Sequence, residues 1–141
     1  MAEPGTASRG GSNVSEPYKL EISTIDAANY PDEDQLLLHA AFQVLVNYNK
    51  ADDLKAYVGF LETEMTKEDS TFVGKRLPYY KEALELYNWW TQVRPKRVNL
   101  WEEVSAGRLT GQEAATIEDC EYGEDTEMLV RLVKIREILW S

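Results

Sequence analysis

The chain has 141 residues, with 25 acidic against 15 basic side chains and a formal net charge of −10. That length suits one domain and is enough to bury a core without a disulfide or metal staple. The charge disfavours nucleic acid and anionic membrane surfaces, and a solvated acidic surface accounts for it before a basic partner does. The single cysteine, Cys120, excludes an intrachain disulfide and points to a reducing compartment. With His39 the only histidine, a His/Cys zinc site is excluded as well.

Residues 1–17 are small, polar and rich in Gly, Ser and Pro, the composition of a disordered tail. They carry Glu3 and Glu16 and no apolar run, so they do not read as a signal peptide. The domain is expected over 18–141. Tyr18, Leu20 and Ile22 alternate with Lys19, Glu21 and Ser23, the period of a short strand near 18–24, although no partner strand follows. Asp32 and Gln35 have capping-box spacing, and a first helix is expected from there to about Tyr48. Its apolar residues, Leu36 to Val46, point in nearly every direction, which predicts a central buried helix. That run is broken by His39 and Gln43 and is too short to span a bilayer. Cytoplasm is therefore the expected location.

Asp52 is a candidate cap for a second helix over 53–66, with Leu54, Tyr57, Val58, Leu61 and Met65 forming one stripe. The two helices could also run on as one. Residues 67–76 read as a loop, and Pro78 suits the first turn of a third helix. That helix is expected to reach Val93 and to stop before Pro95, with Ala83, Leu86, Tyr87 and Trp90 on its core face. Asn99 and Glu102 form another capping pair, opening a short helix that buries Leu100, Trp101 and Val104. Residues 105–123 look irregular, with one helical turn near 112–116. A last helix is expected from Glu124, with acidic residues in its first turn and Arg131, Lys134 and Arg136 later, as the helix dipole favours. The predicted fold is all-α: a compact bundle of four main helices with short extra helices.

No residue set demands catalysis, and neither a cofactor nor a metal is expected. His39 on an apolar helix reads as a hydrogen-bonded core residue, and nothing places it beside Cys120 as a nucleophile pair. Residues 118–125 hold five carboxylates without the ligand order of a calcium loop, and read as a solvated acidic turn. The one basic island is 75–97, six cations against two carboxylates, a net +4. It coincides with Trp89 and Trp90. Adjacent helical positions diverge by about 100°, so with Trp90 in the core Trp89 falls toward a flank. A helix buried on two sides is one reading. The other makes Trp89, Tyr79, Tyr80, Arg94, Lys96 and Arg97 a partner-binding surface. For the charges, internal pairing comes first, a protein partner second and a nucleic-acid strand third.

The segments Leu36–Val46, Leu86–Arg97 and Glu124–Trp140 are similar to elements of a group of small acidic proteins of tailed bacteriophages. The shared features are a Leu-His-Ala helix, a Tyr-x-Trp-Trp element followed by Arg-Pro, and a terminal helix ending in Leu-Trp. The likeness covers about a third of the chain. It implies a phage accessory role in the host cytoplasm and brings no catalytic residues with it. The expected function is non-enzymatic: a protein that binds a host, phage or defence protein. The alternatives are a homo-oligomeric structural or virion component, an acidic DNA mimic, and a ligand-binding domain or enzyme whose site is built from carboxylates and tyrosines.

Overall fold

The computed structural model describes residues 19–25, 32–67 and 71–140; the tail expected over 1–17 lies outside them. The strong three- and four-residue periodicity resolves into five α-helices: α1 (Glu33–Ala51), α2 (Leu54–Lys67), α3 (Thr71–Asn88), α4 (Leu100–Ser105) and α5 (Gly111–Lys134). Between α3 and α4 the backbone passes through a π turn, Trp89–Val93, and a 3-10 turn, Arg94–Lys96. A last 3-10 turn covers Arg136–Trp140. The fold is all-α, with four long helices and one short one among the described residues.

No strand forms among the described residues, so the strand expected near 18–24 is corrected over Lys19–Thr24. A single strand leaves its backbone groups without a ladder partner. Here side chains of α1 take over. Gln43 Oε1 accepts from both the backbone N–H and the hydroxyl of Ser23, each at 3.0 Å. Thr24 Oγ1 shares a hydrogen bond of 2.6 Å with His39 Nδ1. Gln43 also donates to Asn47 Oδ1, so this buried amide is satisfied on both ends.

α1 starts without the expected capping box, since the Asp32 side chain makes no cap hydrogen bond. Glu33 and Asp34 in its first turn suit the dipole. Leu38, Phe42 and Leu45 are buried, but Leu37 and Val44 are exposed, so α1 is not enclosed on all sides. α3, α5 and the terminal 3-10 turn cover its inner side only. α1 and α2 are separate helices. Asp52 leaves helical geometry, Asn49 Oδ1 accepts from Leu54 N at 2.9 Å, and Asp53 Oδ1 accepts from Ala56 N at 3.2 Å. The break is fixed by side-chain caps.

α3 packs against α2 and touches both α1 and α5. It begins at Thr71, so most of the loop expected over 67–76 is helix and Pro78 sits inside it rather than in its first turn. Pro78 is exposed, which lets solvent reach the interrupted hydrogen-bond ladder. The helical backbone also continues past the expected stop: Arg94, directly before Pro95, keeps helical angles.

The largest departure lies in 105–123. Most of that stretch belongs to α5, which runs unbroken from Gly111. Thr110 Oγ1 accepts from Glu113 N at 3.1 Å while Glu113 Oε1 accepts from Thr110 N at 2.9 Å, a reciprocal capping box. Thr110→Ala should lower stability by about 1 kcal/mol, measured as a shift in the urea midpoint. An unchanged midpoint would remove the cap as the reason α5 starts here. Among the described residues, no helix is long and apolar enough to cross a membrane.

Candidate functional site

Within the basic island Arg94 and Arg97 fold inward, while Lys75, Lys81 and Lys96 stay exposed. At Trp89–Val93 the hydrogen bonds run five residues apart, ending with Arg94 N on Trp89 O. Such a turn holds more residues than an α turn, so neighbouring side chains diverge by less than 100°. Both tryptophans consequently reach the core. Phe42 stacks on Trp90 at 4.6 Å and 11°, and meets Trp89 at 5.4 Å. Trp89 is only 5% exposed, so of the two readings the helix buried on two sides holds, and Trp89 as an accessible partner anchor is corrected. Its Nε1 is buried without a hydrogen-bond partner among the described residues, and nothing in the packing accounts for that.

The arginines follow the tryptophans. Arg94 lies 5.0 Å over the Trp90 ring and grips Asp125 with two bonds, Nε to Oδ1 at 3.0 Å and Nη2 to Oδ2 at 3.1 Å. Arg97 lies 5.8 Å over Trp89, with Nη2 at 2.9 Å from Asp125 Oδ1 and 2.5 Å from Glu124 Oε1. Each guanidinium is held between an indole face and carboxylates of α5. Asp125 is buried, which works against its charge. The hydrogen bonds from Arg94 and Arg97 outweigh that and hold its carboxyl below the ordinary value. The basic island thus neutralises part of the acidic stretch 118–125, which is helix rather than a solvated turn.

Of the six residues expected to meet a partner, Trp89 and Tyr80 are buried, and Arg94 and Arg97 are mostly buried in ion pairs. Tyr79 and Lys96 are exposed. His39 is half-buried, edge-on to Trp90 at 4.9 Å. Burial, then the charge of Arg94, lowers its pKa, against a smaller opposing pull from Asp125. Cys120 is exposed on α5. Among the described residues, no group of three or more His, Cys, Asp or Glu is placed to hold a metal ion.

Among the described residues, two of the places with accessible apolar side chains are built around aromatic rings. The first is the connection from the π turn into α4. Trp101 is 60% exposed and Val98 58%, with Val93 also exposed, so Trp101 is not the core residue expected from its position in a short helix. A helix of six residues has little face to bury; Leu100 takes it. Asn99 Oδ1 accepts from the backbone N–H groups of Trp101 and Glu102 at 3.1 and 3.2 Å, which fixes the backbone under the exposed indole.

The second is an open cleft of about 650 Å³ where the end of α1 and the start of α2 meet α3. Tyr48, Tyr57, Phe60 and Tyr80 line it, with Asp52, Asp53 and Arg76. Tyr57 and Phe60 lie near parallel, with centroids 6.2 Å apart and 20° between their ring planes, and Tyr57 meets Tyr80 edge-on at 4.7 Å. Arg76 Nη2 donates to Tyr80 Oη at 2.5 Å, and its guanidinium carbon lies 5.3 Å from that ring's centroid. No family model, curated protein or solved structure matches this chain.

Proposed function

We propose that this protein acts by contact rather than by chemistry, as an accessory factor of a tailed bacteriophage that binds a protein of the host cell or its defences. The phage origin rests on the resemblance of three segments alone. The binding role rests on one observation: a largely exposed tryptophan, Trp101, on a backbone that has little freedom to move. The N-terminal side of that backbone is anchored by the Arg94 and Arg97 ion pairs and the C-terminal side by α4 packing on α5. Exposed tryptophan on a rigid support is the residue type that dominates interface energetics, because little side-chain entropy is lost on binding.

The variants that test this are Trp101→Ala and Val98→Ser. Both residues are mostly exposed, so folding should be unaffected. Immobilised wild-type protein is expected to retain a defined partner from host lysate, and the double variant to lose it while keeping its urea midpoint. Retention of the same proteins by both would overturn the assignment of this surface.

Self-association is the second reading. Leu37 and Val44, two turns apart on α1, are exposed, as are Val130 and Val133 on α5. Sedimentation equilibrium decides it, and a monomer at every concentration would sink the oligomer. The nucleic-acid mimic draws on exposed Glu118, Asp119 and Glu127 of α5. It is weakened by Arg94 and Arg97, which occupy Asp125, Glu124 and Glu121 of the same helix.

A further inference from the structure

We infer that the cleft between α1, α2 and α3 is a binding site for an alkylated ammonium group. Two observations carry this together. The first is the wall: Tyr57 and Phe60, one turn apart on α2, hold their rings near parallel with centroids 6.2 Å apart, and Tyr48 and Tyr80 line the same cleft. Aromatic faces carry negative potential and attract cations that cannot themselves donate hydrogen bonds. The second is charge. Asp52 and Asp53 against Arg76 leave the lining with a net charge of −1, inside a chain of net −10.

Arg76 does not fill this role. Its guanidinium is committed to Tyr80 through both the hydroxyl and the ring. It shows instead that one aromatic side chain of the cleft already holds a cation from within the chain. Phe60 is 56% exposed, so its ring is accessible to a ligand entering the cleft. A trimethylammonium group matches the site because methyl groups satisfy the apolar wall while the charge is met by the ring faces and the two carboxylates. A metal ion would find no such set of donors among the described residues. The cleft is separate from the Trp101 surface, so the two assignments stand or fall independently.

The experiment is a titration of the full chain followed by amide chemical shifts, with choline and with its uncharged isostere 3,3-dimethylbutan-1-ol as probes. Choline is expected to bind in the millimolar range and to move the resonances of residues 48–60, with the isostere weaker by about tenfold or more. Phe60→Ala and Asp52→Asn should each weaken choline several-fold. Both side chains are exposed, so the fold should survive, and an unchanged amide spectrum without probe checks that. A peptide carrying trimethyllysine forms the second arm. Tighter binding than choline assigns the group to a protein partner, and equal binding assigns it to a small molecule. Equal binding of choline and the isostere, or no shift with either, overturns the site. So does an undiminished affinity in both variants.

Discussion

Replacing Asp125 with alanine is expected to lower the unfolding free energy by about 3 kcal/mol at neutral pH. The change leaves two guanidinium groups mostly buried, with side chains 18% and 19% exposed, and without the carboxylate that both share. Breaking a buried ion pair from one side costs about 3–5 kcal/mol because the remaining charge keeps its desolvation penalty. The residual exposure of Arg94 and Arg97, and the contacts Arg97 keeps with Glu121 and Glu124, place the loss at the lower end. Urea unfolding measures it. Glu103→Ala, which breaks the exposed pair with Arg108, is the control and should leave the midpoint unchanged.

The same carboxylate gives a pH signature. Asp125 has a lower pKa folded than unfolded, so the unfolded chain binds the extra proton as the pH falls. The stabilisation is therefore complete above the ordinary carboxylate value and is lost as pH falls through the lower, folded value. Glu82, held down chiefly by its bonds from Arg131, titrates in the same sense. Asp125→Ala should flatten the acid limb of the stability curve in part and Glu82→Gln a further part. An acid limb identical to wild type in Asp125→Ala would mean that the pair contributes nothing to acid stability.

What could be read before folding was local. The extents of α1 and α2 are legible within a few residues because three- and four-residue apolar steps are encoded over a single turn, although the Asp32 cap does not form and Asp53, not Asp52, caps α2. The cap at Asn99 was legible for the same reason. The α5 start was equally local, since Thr110 and Glu113 spell a capping box. It was obscured by the carboxylates that follow, which look like a repelling loop until Arg94 and Arg97 are set against them. Those partners lie 31 and 27 residues away in sequence, and no periodicity reports a contact of that span. The π turn was invisible for a related reason. It goes together with the packing of both Trp89 and Trp90 against Phe42, which an ideal α-helical wheel does not reproduce. The aromatic cleft takes Tyr48, Tyr57 and Tyr80 from three helices. Nothing in the sequence reports that these three side chains converge.

Trp90→Ala should be the most damaging single change in the aromatic core, at about 3–5 kcal/mol. The indole is almost fully buried and joins four groups of different origin: the Phe42 ring at 4.6 Å, the His39 ring at 4.9 Å, the Trp89 ring at 6.1 Å and the Arg94 guanidinium at 5.0 Å. Removing it opens a cavity, and it also uncovers the cation–π face that helps hold Arg94 on Asp125. The loss should therefore be non-additive with Asp125→Ala, because each change alone already loosens Arg94. Phe42→Ala attacks the same stack from α1 and should cost a similar amount, since Phe42 is fully buried. In the Phe42/Trp90 double-mutant cycle, a coupling of about 0.5–1.5 kcal/mol is expected for the stacked rings. Additivity within error would mean that the two rings merely fill space side by side.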